Sequence, residues 1–598
     1  MTDAQRTRKL LTGNEAIAEG ARAAGALFAS AYPGTPSTEI LESIARRGDV
    51  RVQWAPNEKV AYEVACGVSL GGGRALCSMK HVGVNVAADP FFSSSYSGIN
   101  GGLILVSADD PAMHSSQNEQ DNRHLARAAK VALLEPSDSQ EALDFVALGF
   151  EISERFDTPV MLRVTTRICH SMSPVEIDLS APYAPVLRGG YQRNFRKNVL
   201  LPANARHRHE SVEERLSLLE EFGERERALN RIEWGDRTIG VVTSGVAYQY
   251  VREVLPDASI LKLGLTNPLP RELIREFAGG VNELYVVEEL DPFLEEQVRA
   301  LGLHPVGKEI FPITGELDPD RVARGFGLEA AGSGVEPIET ALPPRPPVLC
   351  AGCGHRGVFY TLSRMGVAVT GDIGCYTLGA LPPLEAMDAC LCMGASVGMA
   401  QGMEIALRAG GDDRPVVGVI GDSTFVHSGI TGLVNAVYNG GAGTTLLLDN
   451  GTTAMTGHQD HPGTGLTAEG DSTISLDYVA VCRAVGVRRV REVDPYDLEA
   501  LEAAIREELA AGEPSVIVCR AVCRLVDRTP IASPAELEIE CPGCGTCFEL
   551  GCPALDGSSG QAVIDPSVCC GCALCVQLCP FCGLRIHGHG AAALESAP

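Results

Sequence analysis

Short apolar runs alternate with glycine-punctuated amphipathic stretches from residue 8 to about residue 180, with runs such as 102–107 and 159–164 apolar almost throughout. Runs of this kind are strands covered on both faces, and their alternation with helical stretches predicts an α/β domain with a mostly parallel sheet over residues 1–183. The pattern then breaks. Residues 184–235 are crowded with Arg and Glu, in RNFRKN and HRHESVEERLSLLEEFGERERALNR, and predict a helical connector whose charges face water. Alternation resumes in a smaller α/β unit over 236–315, with strands at 239–243 and 284–288. Gly and Pro accumulate in 316–347, which reads as a linker. A third α/β domain covers 348–530, and a cysteine-rich module covers 536–590.

Composition narrows the function classes. The chain has 598 residues, 45% of them hydrophobic, and a formal net charge of −27. That charge disfavours nucleic acid and anionic membrane surfaces as partners. No apolar run approaches the roughly 20 residues of a membrane span, and the first residues, MTDAQRTRKLLTGNEA, lack the apolar core of a secretion signal. The expectation is a cytoplasmic protein, whose cysteines stay reduced.

Ten of the 21 cysteines lie between Cys541 and Cys582. They form two runs, Cys541-x2-Cys544-x2-Cys547-x4-Cys552-Pro553 and Cys569-x2-Cys572-x2-Cys575-x3-Cys579-Pro580. Such runs hold two 4Fe–4S clusters, and in two-cluster ferredoxins the fourth cysteine of each run ligates the other cluster. The expected ligand sets are therefore Cys541, Cys544, Cys547 and Cys579, and Cys569, Cys572, Cys575 and Cys552. A zinc ribbon would use two CxxC pairs rather than two four-cysteine runs ending in Cys-Pro. The x4 gap in the first run lengthens a loop without removing a ligand. Cys570 and Cys582 fall outside the pattern and read as spectators.

Hard-cation chemistry marks the third domain. An apolar strand at 416–420 ends in Gly421-Asp422-Ser423, a second at 444–448 ends in Asp449-Asn450-Gly451-Thr452, and 429–439 between them reads as one helix. This β-α-β unit offers the Asp422 carboxylate, the Asn450 side chain and the Thr452 carbonyl to one Mg²⁺, whose other positions remain for a diphosphate and water. The 28-residue separation between Asp422 and Asn450 resembles the thiamine diphosphate motif that begins Gly-Asp-Gly and ends Asn-Asn. In the first domain Glu58 opens an apolar helix. By itself it is a first-turn glutamate favoured by the helix dipole. In thiamine enzymes a glutamate so placed bonds the pyrimidine ring of the cofactor.

Together these pieces resemble the 2-oxoacid:ferredoxin oxidoreductases, and within them the α subunits of the indolepyruvate branch. The resemblance spans nearly the whole chain. It rests on Tyr32-Pro33-Gly34-Thr35-Pro36-Ser37, Met79-Lys80-His81-Val82-Gly83-Val84-Asn85, Ser107-Ala108-Asp109-Asp110-Pro111 running on into HSSQNEQDNR, and Val287-Glu288-Glu289-Leu290-Asp291. It continues in Cys350-Ala351-Gly352-Cys353-Gly354-His355-Arg356, Gly371-Asp372-Ile373-Gly374-Cys375-Tyr376 and the cysteine tail.

The resemblance implies thiamine-diphosphate-binding domains, a transketolase-C-terminal-like α/β domain and a two-cluster ferredoxin-like module. The implied activity is coenzyme A-dependent oxidative decarboxylation of arylpyruvates, indolepyruvate and phenylpyruvate, to aryl-acetyl-CoA and CO₂, with electrons passing through the clusters to ferredoxin. Oxidation of another 2-oxoacid and non-oxidative decarboxylation are the alternatives.

The resemblance assigns Glu58 to cofactor activation and Thr35 to the substrate carboxylate. His81 and His355 stand out among the motif histidines, ahead of His427 and His458, as donors to a diphosphate or an oxyanion. Where pyruvate-acting relatives carry an arginine, this chain has Asp109, so carboxylate recognition must differ. Cys350, Cys353 and Cys375, with Cys523 or Cys519 as fourth ligand, match a third cluster near the thiamine. No segment here supplies the part that completes the coenzyme A region, and a smaller β subunit is the expected partner, in a heterodimer or α2β2 assembly.

Overall fold

The computed structural model describes residues 7–178, 182–189, 193–329, 345–537, 541–581 and 583–586. Contacts divide the chain into two compact units, residues 1–339 with 468–470 and residues 340–467 with 471–598.

The first unit is built on a seven-stranded sheet. Its order is Leu265–Asn267, Ala132–Leu134, Val160–Thr165, Leu103–Asp109, Ala75–Lys80, Phe28–Ala31, Arg51–Trp54, and only the Leu265–Asn267 edge pairing is antiparallel. The central strands LILVSAD and VMLRVT are buried at every position, because helices cover both faces. The long helix Ser139–Phe156 starts where the Asp138 side chain accepts the Glu141 N–H, and it buries Phe145, Val146, Phe150 and Phe156 against the sheet. The chain runs from Phe28–Ala31 outward to Arg51–Trp54 and then crosses back to Ala75–Lys80 on the other side. Loops leaving such a reversal diverge, which opens a crevice at the carboxyl ends of the strands.

A smaller sheet in this unit carries Glu283–Val287, Asp236–Ser244 and Ala258–Leu263 in parallel, with Asn230–Glu233 antiparallel at its edge. The charged connector contains the helix Pro202–Arg225, which buries only Val212, Arg215, Leu219 and Gly223. One part of the expected linker is structured. Residues Pro319–Gly325 form a helix capped by Asp318, and Val322 packs into the cluster of Val241, Ile260 and Phe311. Composition missed it because a seven-residue helix between glycines leaves little periodic signal. Residues 330–344 of that linker lie outside the described residues.

The second unit holds a six-stranded parallel sheet ordered Ala389–Cys390, Ala368–Gly371, Val416–Gly421, Thr444–Asp449, Ser515–Arg520, Arg489–Val493. It too reverses direction, between Ala368–Gly371 and Val416–Gly421. The single helix expected at 429–439 is preceded by a π-helical turn, Phe425–Gly429, and continues as an α-helix over Ile430–Tyr438. The cysteine module has two small antiparallel pairs, Ala535–Leu537 with Leu584–Ile586 and Leu555–Asp556 with Val563–Ile564, and the short helix Leu574–Leu578. It packs through Leu550, Leu574 and Leu578 against Tyr360, Tyr496 and Leu498 of the sheet domain.

Among the described residues no helix is long and apolar enough to cross a membrane.

Candidate functional site

In the first unit the crevice gathers the expected residues from three strand ends. Glu58 is the first residue of the helix Glu58–Leu70, behind Asn57, whose side chain accepts the Val60 N–H at 2.9 Å. It is buried. A Cβ built on Gly83 would come within 2.6 Å of Glu58 Oε1, so the carboxylate lies against the backbone at Gly83 and any larger residue there would displace it. A Cβ built on Gly34, beside Thr35, would likewise fall 3.2 Å from Lys80 Cβ. Burial holds the Lys80 ammonium down at about 8, with Asp110 opposing. Thr35 itself is half-buried.

His81 is fully buried, with Nε2 at 3.1 Å from the Asn118 carbonyl and Nδ1 without a partner. The Nε2 proton is therefore spent on Asn118, and the remaining nitrogen is an acceptor.

Asp109 does not face a ligand. It is fully buried, with Oδ2 2.7 Å from Arg163 Nε, while Arg163 Nη1 reaches Glu135 at 2.5 Å. Arg123 extends the network to Asp121 and Glu288, at 2.6 Å each. Asp109 is thus part of the scaffold.

In the second unit the two strand ends meet. Asp422 Oδ2 accepts the backbone N–H groups of Asn450 and Gly451 at 3.2 and 2.9 Å, and Oδ1 accepts that of Ser423 at 2.8 Å. Asn450 Oδ1 accepts the Thr452 N–H at 3.0 Å. Asp422 and Thr452 are buried, and Asp372, at the neighbouring strand end, keeps its Oδ1 unpartnered and is pushed up to about 6 by burial. Oxygen ligands crowded in a dry cleft are the donor set of a hard divalent cation, so these residues fit Mg²⁺.

Burial drives His355 down to about 4, against the pull of Asp422, so its ring is neutral near pH 7. Its Nε2 lies 3.4 Å from Asn450 Nδ2. With the amide donating, the ring proton sits on Nδ1.

The thiols form three groups. Cys541, Cys544, Cys547 and Cys579 line one cavity, and Cys552, Cys569, Cys572 and Cys575 line another. Each cavity thus draws its fourth cysteine from the other run. Cys350, Cys353, Cys375 and Cys523 lie within electrostatic reach of one another, and burial pushes Cys353 up to about 12 and Cys375 to about 11. Cys519 is apart from them, in the hydrophobic core beside Leu448 and Ile517.

Among the described residues no three thiols lie within 4.8 Å of one another. A tetrahedral zinc–thiolate site would bring them to roughly 3.8 Å. The wider spread suits a larger group, and each quartet fits an iron–sulfur cluster.

Cys570 is not a bystander to this arrangement. It lines the second cavity, accepts the Cys572 thiol proton and is thereby held well below the usual thiol range. Cys582 lies outside the described residues.

Comparison with known proteins now bears on these sites. Residues 19–208 match the family model for pyruvate flavodoxin/ferredoxin oxidoreductase, thiamine diphosphate-binding, and residues 372–519 match that for the C-terminal TPP-binding domain of thiamine pyrophosphate enzymes. The chain is 40% identical to the indolepyruvate oxidoreductase subunit IorA of Archaeoglobus fulgidus, over 97% of both chains. The chain belongs to the IorA family. The IorA subunit of Methanothermobacter marburgensis is also 40% identical, over 97% of this chain and 98% of that one, and that of Pyrococcus horikoshii is 39% identical over 96% of each.

Within this IorA-family chain the first matched segment contains Thr35, Glu58 and His81, and the second contains Asp422, Asn450 and Thr452. The geometry also adds residues that the motifs did not single out. His461 is buried, with Nδ1 accepting the Gly463 N–H at 3.1 Å and Nε2 at 3.3 Å from Asp422 Oδ2. Its partner lies 39 residues away in sequence, and HQDHPGTG gives no spacing cue to it. Arg356, inside the quoted motif, proves to be buried between two of the thiol groups.

Proposed function

We propose that this chain is the thiamine-binding, electron-exporting subunit of a coenzyme A-acylating arylpyruvate:ferredoxin oxidoreductase, completed by a smaller β subunit. One observation carries the reading. Asn450, whose side chain belongs to the oxygen-rich cleft, also accepts the Cys523 N–H on its backbone carbonyl at 3.0 Å. The cation-binding turn and the inner thiol quartet are thus joined by a single residue, and electrons released at one have a short exit to the other.

Thiamine diphosphate, when bound, supplies the electron sink for decarboxylation. The chain's residues supply placement and proton control. Asp422, Asn450 and the Thr452 carbonyl would hold Mg²⁺ and through it the diphosphate. Glu58, buried at its helix start, would hold a proton against the pyrimidine. His355, neutral, offers Nδ1–H near the diphosphate, and His81 offers an acceptor nitrogen. Thr35 would meet the substrate carboxylate. The cysteine quartets would hold three 4Fe–4S clusters, the outer two in a ferredoxin-like module that hands electrons to ferredoxin.

Support comes from family membership, from the two thiamine-binding matches and from the crossed lining of the two cavities. The test is an anaerobic assay of the chain co-purified with its β subunit, using indolepyruvate or phenylpyruvate, coenzyme A and methyl viologen. Dye reduction dependent on both substrate and coenzyme A is expected; release of an aldehyde without dye reduction would overturn the reading.

A further inference from the structure

Arg356 is 2% exposed. Its Nη groups donate to the carbonyls of Leu349, Cys350 and Leu550, and its Nε has no partner. Among the described residues no carboxylate pairs with it. Arg524 resembles it: its side chain is 10% exposed, Nη2 donates to the Thr529 carbonyl, Nε is unpartnered, and the nearest carboxylate is the half-exposed Asp527 at 4.0 Å. A buried guanidinium cannot shed its proton, and a buried charge without a counter-charge costs several kcal/mol. Both can take an anion beside them, although Arg215, buried on the Asp157 and Ser95 carbonyls with Nε unpartnered, shows that burial alone does not say which.

Their position says what. Arg356 stands within electrostatic reach of Cys350 and Cys353 on one side and of Cys552 on the other. Arg524 follows Cys523 in the chain and faces Cys570, which lines the second cavity. The two groups nearly touch between them, because a Cβ built on Gly352, in the Cys350–Cys353 loop, would fall 1.9 Å from Cys570 Sγ and 3.8 Å from Arg524 Cγ. Among the described residues, no arginine lines the cavity of Cys541, Cys544, Cys547 and Cys579.

We propose that Arg356 and Arg524 are the counter-charges of the inner quartet and the second cavity, and that they hold the clusters bound there at higher reduction potentials than the cluster of the first cavity. This rests on the reading of the quartets as cluster sites. A cluster held by four thiolates is an anion and becomes more negative on reduction, so a fixed cation beside it favours the reduced form. Transfer moves one electron from the inner cluster to the second; no bond is made or broken, and both guanidinium groups stay protonated. Cys570 and Gly352 form the wall between donor and acceptor, and the arginines make the electron dwell there before it reaches the first cavity.

The experiment is an EPR-monitored redox titration of the full-length chain, loaded with iron and sulfide, after its iron has been counted. In Arg524→Gln, two of the three midpoint potentials should fall, each by about a tenfold change in the one-electron equilibrium, 59 mV. The third should stay, and Arg524→Lys should restore the two. Arg356→Gln should give the same pattern, and Arg524 carries the test if that variant does not fold. Potentials that all stay, or all fall together, overturn the proposal. Iron too scarce for the inner and second sets would overturn the cluster reading itself, and the count registers this before any potential is measured.

Discussion

Arg123 and Arg163 in one compact unit and Arg356 and Arg524 in the other keep opposite company. Arg123 and Arg163 sit among Asp109, Asp121, Glu135 and Glu288, with ion pairs at 2.5–2.7 Å. Arg356 and Arg524 sit among carbonyls and thiols, with Nε unpartnered in each. The first pair is compensated by the chain's own carboxylates and serves the scaffold. The second has, apart from Asp527 at 4.0 Å from Arg524, the counter-charge that thiolates around a bound anion would supply. Burial opposes thiolate formation in the bare chain, pushing Cys575 up to about 12 for example. What marks the second pair is its place beside thiols, since Arg215 is likewise buried on carbonyls with Nε unpartnered.

The comparison can be broken in order of effect. Arg163→Met strands Asp109 and Glu135 in the core and should cost about 3–5 kcal/mol. Denaturant unfolding under anaerobic conditions should give the same loss with and without iron. Arg356→Met should behave differently, with a loss on the order of 2 kcal/mol greater in the iron-loaded chain than in the iron-free one. Equal losses would place Arg356 in the same class as Arg163.

A smaller effect concerns Glu289, which burial lifts to about 7 against the Leu317 N–H and the two scaffold arginines. An acid whose value is raised by folding binds more protons folded than unfolded, so stability is fully present below its ordinary value of 4.5 and falls as pH rises through about 7. Glu289→Gln should flatten the pH 5–7 slope of the melting temperature. The smallest effect is expected at the surface, where Arg506 pairs with Glu502 four residues earlier in its helix, both half-exposed. Arg506→Ala should shift stability by no more than about 0.5 kcal/mol, with or without iron.

Much of this was legible in the sequence because strand runs and cysteine spacings are local signals. The strand ends at Asp422 and Asn450, the parallel sheets and the two four-cysteine runs follow from short windows. What local pattern does not carry is who meets whom across the fold. His461 reaches Asp422, and Cys570 meets Gly352, through topology alone. Cys519 and Cys523 looked equivalent four residues apart, yet one points into the core and the other stands with the inner quartet. Asp109 illustrates the same limit: its motif does not say what it meets, and Arg163, 54 residues on, claims it for the scaffold.

The central claim is that chemistry assisted by Glu58 feeds electrons into the cysteine-bound clusters. Its most direct test is to mix the iron-loaded complex anaerobically with arylpyruvate and coenzyme A, without dye or ferredoxin, and to follow the visible cluster absorbance. Bleaching is expected in the wild-type complex and should slow by about 10²–10⁴-fold in Glu58→Gln, whose starting absorbance is unchanged. Equal bleaching in the variant, or CO₂ release by the wild type with no bleaching, would contradict the account.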